Sequence, residues 1–230
     1  MTSGRIDAVL FDMDGTLIHT EHHTDHVVSR VLDSHCVDAL RFDSGELHGL
    51  TWGAAGRRVQ QSHPELQSVD VGVALREAFS EVLDREGLCL IPGSNRFFSA
   101  LNNSLPVGLY TSNVRAEVDR LQREYPEFCG LKAVVTGEDV VHSKPHPEGY
   151  LLLATQMKIA PARCLVFEDS IAGLQAARAA GMQTVAVLHG SADRDAAVAL
   201  SDHAIDDYTG VNTDQPLIPG LPVIGPSVVA

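Results

Sequence analysis

Phe11-Asp12-Met13-Asp14-Gly15-Thr16-Leu17 follows directly on Ala8–Phe11, a short apolar run with the character of a buried strand, so the chain passes from strand to polar turn at Asp12. Two carboxylates separated by one residue and followed by glycine can both project into a single crevice at the strand's end. An acidic turn closing a strand is the plain reading of such a stretch. The chemical reading gives the two groups different work: one carboxylate attacks as a nucleophile, and a second carboxyl protonates a leaving oxygen and later deprotonates water. Like-charge crowding and hydrogen bonding would push their pKa values apart.

Outward from this stretch, further strand-like bursts occur at Pro106–Tyr110, Ala133–Val135, Cys164–Phe167 and Thr184–Val187. Helical patterns lie between the later ones. Val114–Glu124 follows the capping candidate Asn113, Glu148–Met157 follows Pro147, and Ile171–Ala180 follows Ser170 and stops at Gly181. Strands alternating with helices predict an α/β fold with a mainly parallel sheet and ligands at the carboxyl ends of its strands. One interval breaks the rhythm: Thr20–Cys36, Asp43–Ser62 and Val69–Gly87 read as helices, with no convincing strand among them. They predict a helical insert between the first and second strands, returning near Ile91-Pro92-Gly93. Pro216, Pro219, Pro222 and Pro226 forbid a continuous helix near the C-terminus. The resulting division is a core of residues 1–18 plus 91–210, a helical cap of 19–90 and a Pro-rich tail of 211–230.

With 230 residues, 44% of them apolar and 20% charged, the chain is globular and can bury a sizeable core. Its aromatics make up only 5%, which suits aliphatic parallel strands flanked by helices. A formal charge of −13 repels polyanions, which argues against nucleic-acid or anionic-membrane partners and requires a local cation for any anionic substrate. Cys36, Cys89, Cys129 and Cys164 form no CxxC pair and suggest reduced thiols of a cytoplasmic protein. No apolar run approaches the roughly 20 residues of a membrane span, and the start of the chain lacks the pattern of a secretion signal.

Three more stretches complete a pattern with Phe11–Leu17. They are Leu109-Tyr110-Thr111-Ser112-Asn113, then Ser143-Lys144-Pro145-His146-Pro147-Glu148, then Val166-Phe167-Glu168-Asp169-Ser170-Ile171-Ala172-Gly173, the last followed by Ala176–Met182. In this order they resemble the motifs of the haloacid dehalogenase-like hydrolase superfamily, and specifically its members with a helical cap after the first strand. The resemblance runs to about Leu188. It implies a Rossmann-like core with an inserted α-helical cap, and a phosphatase with Asp12, Asp14, Thr111 and Lys144 as catalytic residues. By the same resemblance Mg²⁺ is held by Asp12, the Asp14 backbone carbonyl and Asp169, with Glu168 near it.

The residue types suit these roles. The Thr111 hydroxyl and the backbone N–H groups at Ser112 and Asn113 can hold a phosphoryl oxygen. The Lys144 ammonium can neutralise phosphate and pair with Asp12. Glu168 and Asp169 end a nearly uncharged strand and reach the same sheet edge, where hard carboxylate oxygens suit Mg²⁺. Gly173 and the alanine-rich helix after it read as packing residues.

Substrate choice falls to the cap. Leu47-His48-Gly49-Leu50-Thr51-Trp52 resembles the cap loop that faces the site in relatives, but Leu50 and Trp52 stand where several relatives carry a basic residue. His48 and Arg57 are the cap's candidate substrate contacts, although Arg57-Arg58 also reads as a solvated helix face and Trp52 as cap core. His22 and His26 have the i,i+4 spacing of metal ligands but lack a third ligand nearby, and His142 and His146 read as surface loop residues. The expected activity is Mg²⁺-dependent hydrolysis of a small phosphorylated metabolite, a sugar phosphate or similar phosphomonoester, through an aspartyl-phosphate, by a monomer or small homo-oligomer. Two alternatives are a β-phosphoglucomutase-like sugar phosphomutase and a catalytically silent binding module. Against the mutase, Thr16 stands where many mutases carry a hydrophobic residue, and Thr24 stands near the place of their cap histidine.

Overall fold

The computed structural model describes residues 5–37, 44–47 and 50–211. Among the described residues six strands form one sheet: β1 (Ala8–Phe11), β2 (Val107–Tyr110), β3 (Ala133–Val135), β4 (Cys164–Glu168), β5 (Gln183–Val187) and β6 (His203–Ile205). Their order is β3-β2-β1-β4-β5-β6 and every pairing is parallel. β1 lies between β2 and β4, with Phe11 opposite Leu109 on one side and Phe167 on the other. That register brings Asp12, Thr111, Glu168 and Asp169 to one edge of the sheet. The order reverses direction at β1, which is where an open α/β sheet leaves a crevice for ligands.

Both faces of the sheet are covered, as a parallel sheet requires. Val9 and Phe11 belong to one apolar cluster, with Phe97 and Phe98 of α4 (Ser94–Asn102) and Val118 and Leu121 of α5 (Arg115–Glu124). Ala8 and Leu10 belong to the other, with Leu153 of α6 (Glu148–Met157) and Ala176 and Ala177 of α7 (Ile171–Ala179). This alternation is the period of two expected of a strand buried on both faces. A last helix, α8 (Arg194–Leu200), packs against α7 and β6.

Between β1 and α4 the chain forms α1 (Glu21–Ser34), α2 (Trp52–Ser62) and α3 (Val71–Glu86). The outgoing and returning segments run side by side, with an antiparallel bridge between Ile18 and Leu90 and a hydrogen bond from His19 N to Cys89 O of 2.7 Å. Among the three helices, α2 and α3 approach closely. A Cβ on Gly72 would sit 2.7 Å from the Trp52 carbonyl oxygen, so glycine there lets the start of α2 seat against α3.

Several expectations need correction. Asp43–Ser62 is not one helix: Ser44–Leu47 is a single 3-10 turn, and α2 starts only at Trp52 with the Thr51 side chain accepting from Ala54 N. The helix expected from Val114 begins at Arg115, with Val114 at its cap and the Asn113 side chain turned to other work. Helices α4 and α8 and the edge strand β6 had no sequence counterpart; β6 is three residues long and only half buried, too short for a pattern of alternation. The Pro-rich stretch lies outside the described residues beyond Val211, as does His48. Among the described residues no helix is long and apolar enough to cross a membrane.

Candidate active site

Four segments distant in sequence meet at the carboxyl ends of β1, β2 and β4. Lys144 is fully buried, and its Nζ lies 2.5 Å from Asp12 Oδ1 and 2.5 Å from Glu168 Oε1. The rings of Tyr110 and Tyr150 flank the ammonium, with centroids 5.0 and 5.7 Å from it, a favourable placement over aromatic faces. Burial alone would lower the lysine pKa, but the Asp12 and Glu168 carboxylates outweigh it and hold the group above its ordinary value. Lys144 is therefore a fixed positive charge.

Glu168 is the organiser of this pair. Its Oε1 accepts from Lys144 and from the Tyr150 hydroxyl at 3.1 Å; its Oε2 accepts from the Ser170 backbone N–H at 3.0 Å and the Ser170 hydroxyl at 2.9 Å. Four donors occupy the carboxylate. A Cβ added to Gly173 would fall 1.7 Å from Glu168 Oε1, so the glycine leaves room for this carboxylate. Gly173 thus serves close packing, as expected, and the group it packs against is the Glu168 carboxylate.

Asp12 is buried, and burial, the largest influence, pushes its pKa well above the usual carboxylate range while Lys144 works in the opposite direction. Asp14 is likewise raised by burial, against the lowering effect of three donors: Thr20 Oγ1 at 3.1 Å, Asn113 Nδ2 at 3.5 Å and Thr111 Oγ1 at 3.3 Å. The Thr111 hydroxyl also accepts from Asn113 N at 3.0 Å. Asp169 Oδ1 accepts from the buried Thr16 hydroxyl at 3.2 Å. Oxygens of Asp12, Glu168 and Asp169 all lie within 4.8 Å of one another. Such a buried set of hard oxygen donors fits a small divalent cation like Mg²⁺.

A cavity opens over these groups. Asp12, Asp14, Asp169, Ser112 and Asn113 form its floor, and Val27, Val28, Leu47, Leu50, Trp52, Ala55, Leu75 and Phe79 of the inserted segment form its roof. Trp52 Nε1 of the roof donates a hydrogen bond of 2.9 Å to Asn113 Oδ1 of the floor. That contact fixes the Asn113 amide so that its nitrogen faces Asp14. Trp52 also packs on Phe79, ring centroids 5.2 Å apart. The expectation of cap core is thus half of its placement; the ring also lines the cavity.

The structure therefore brings together Asp12, Asp14, Thr111, Ser112, Asn113, Lys144, Glu168 and Asp169. It does not bring Arg57 to them. Arg57 is exposed and lines a separate shallow cleft beside Gly53, Gly56 and Asp70, because its position on α2 faces away from the roof. Sequence reasoning missed Thr20, Tyr150 and the Trp52–Asn113 contact, each of which depends on which helix faces lie over the sheet edge.

This arrangement belongs to a known class: the family model for haloacid dehalogenase-like hydrolases matches residues 6–181, and the chain is a member of that family. The chain is 30% identical over 223 residues to validoxylamine A 7'-phosphate phosphatase of Streptomyces hygroscopicus subsp. limoneus, covering 95% of this chain and 98% of that one. It is 31% identical over 189 residues to fructose-1-phosphate phosphatase YqaB of Escherichia coli, covering 80% and 97%. The crystal structure of CbbY from Rhodobacter sphaeroides in complex with phosphate has the same fold, with a TM-score of 0.74, 24% identity and coverage of 89% and 96%.

Proposed function

We propose that this protein is a Mg²⁺-dependent phosphatase that hydrolyses a small phosphomonoester, with Asp12 accepting the phosphoryl group. The observation that carries the reading is the Lys144 ammonium, buried and shared at 2.5 Å between Asp12 and Glu168 beside Asp169. A buried cation amid carboxylates at the floor of a cavity is what a phosphoryl dianion needs in order to approach an anionic nucleophile. The relatives named as phosphatases of phosphorylated sugars and related compounds support the same activity.

Asp12 and Asp169, with the Asp14 backbone carbonyl, would hold the cation, and Glu168, its oxygens already occupied, would contribute at most through water. When bound, Mg²⁺ supplies charge that offsets repulsion between Asp12 and the phosphoryl oxygens. Lys144 favours the ionised, attacking form of Asp12, against burial. An Asp12 oxygen attacks phosphorus and the ester P–O bond breaks. Asp14, which burial keeps disposed to carry a proton, gives that proton to the leaving oxygen. Water then attacks phosphorus, Asp14 takes its proton, and the Asp12 carboxylate is released together with inorganic phosphate. Thr111 and the N–H groups near the start of α5 hold phosphoryl oxygens during both steps. Helices α1–α3 act as a cap that excludes bulk water from the acyl phosphate.

The test is release of inorganic phosphate from a panel of phosphomonoesters with Mg²⁺, with EDTA, and by Asp12→Asn. Release that needs Mg²⁺ and is lost in the variant is expected. Activity retained by Asp12→Asn contradicts the assignment, and accumulation of an isomeric sugar phosphate in place of phosphate would identify a mutase.

A further inference from the structure

The cavity changes character between its two walls. The floor offers carboxylates and amide groups, whereas the roof presents Val27, Val28, Leu50, Trp52, Leu75 and Phe79. The single polar atom on those six side chains, the Trp52 indole nitrogen, is taken by Asn113. Of the hydroxyls at the margin, that of Thr20 is given to Asp14, which leaves Thr24 as the polar side chain on the α1 wall among the described residues. Among the described residues, no lysine or arginine lines the cavity. Lys144, the cation of the floor, is fully buried between Asp12 and Glu168.

Whatever brings a phosphoryl group to Asp12 must lay the rest of itself against this roof. Hydroxyl groups pressed there would lose water without gaining partners, which is unfavourable for each of them. A second phosphate or a carboxylate would face Asp12, Asp14 and Asp169 with no further protein cation among the described residues lining the cavity to meet it. Hydrocarbon in the same place replaces water over apolar side chains and is stabilised.

We infer that the substrate is a monophosphate of a neutral alcohol whose hydrocarbon portion fills the roof, that is, an alkyl, alicyclic or aryl phosphomonoester, and that polyhydroxylated or doubly anionic esters are discriminated against. This rests on the phosphatase reading and narrows it to a substrate class. The discrimination comes from the cap; the floor grips only the phosphoryl group.

The experiment compares kcat/KM for phosphate release by the full chain with Mg²⁺. The substrates are pentyl phosphate, cyclohexylmethyl phosphate, sorbitol monophosphate, phosphoglycolate and a hexose bisphosphate. Alkyl and sugar esters both leave as primary alcohols, and the neighbouring hydroxyls make the polyol the better leaving group, so a preference for the alkyl esters reports binding of the alcohol portion. The alkyl esters are expected to exceed sorbitol monophosphate by at least about 10-fold and the two doubly anionic substrates by at least about 100-fold. Equal or faster turnover of sorbitol monophosphate or of the bisphosphate overturns the inference.

If none of these esters releases phosphate, it is the hydrolytic reading that fails, and binding still decides the preference of the cavity. Trp52 is the only tryptophan and its ring lies in the roof, so its emission reports occupancy. Titration with the non-hydrolysable pair pentylphosphonate and phosphonoacetate is expected to show tighter binding of pentylphosphonate. Tighter or equal binding of phosphonoacetate, or saturation by neither, overturns the inference.

Discussion

At the floor of the cavity, Asp12 and Asp14 come from the turn after β1, Lys144 from the loop before α6, and Glu168 and Asp169 from the end of β4, and each is held by a named partner. At the roof, Val27, Leu50, Leu75 and Phe79 come from an inserted helical segment and are held by packing, while Trp52 adds a polar contact to the floor. The difference teaches where change is tolerated. A buried charge lacking its partner is unfavourable, so the floor stands or falls as a unit. Apolar side chains need only volume and shape, so the roof can be altered without disturbing the floor.

Lys144→Ala should break the floor most severely. It leaves Asp12 and Glu168 buried and facing each other without their cation, and the loss expected is about 3–5 kcal/mol, read by denaturant unfolding, together with loss of turnover. A stability change within about 0.5 kcal/mol would show that the pair contributes little to the fold. Gly173→Ala acts on the same group from behind. The added methyl displaces Glu168 and with it Lys144, so activity is expected to fall about 100-fold, with a smaller stability cost of about 1–3 kcal/mol. Unchanged kinetics would mean that Glu168 does not position the lysine. Trp52→Phe is the mildest and probes the hydrogen bond from the roof to Asn113. It keeps an aromatic ring but removes the N–H, and Asn113 Oδ1 still accepts from Val114 N, so no acceptor is orphaned. The expected cost is about 0.5–1.5 kcal/mol; a larger loss would mean that the ring, not the hydrogen bond, holds roof to floor.

The floor was legible in the sequence to a degree the roof was not. Asp12, Asp14, Thr111, Lys144 and Asp169 each sit in a short contiguous stretch at the end of a strand or in a loop, and a parallel sheet brings strand ends together whatever its details. Glu168 was placed near the metal, and one of its oxygens does lie within 4.8 Å of those of Asp12 and Asp169; what the sequence did not show is that its carboxylate also accepts from Lys144, Tyr150 and Ser170. That role depends on the rotation of α6, which carries Tyr150, and local sequence does not encode it. Asn113 was read as a helix cap from its residue type, but the competing demand of Asp14 and Trp52 for its amide prevails. Arg57 was assigned to the site from its charge and loop proximity; the close seating of α2 on α3 at Gly72 turns it outward. Periodicity found the inserted helices but could not say which faces would meet across the cavity.

The most direct measurement is chemical trapping of the phosphorylated carboxylate. The enzyme is quenched during turnover, reduced with borohydride and digested, and the peptide spanning Phe11–Leu17 is weighed. Conversion of Asp12 to homoserine, dependent on substrate and Mg²⁺, is the result expected. Phosphate release proceeding at full rate with no modification at Asp12, or with the modification at another carboxylate, would contradict it.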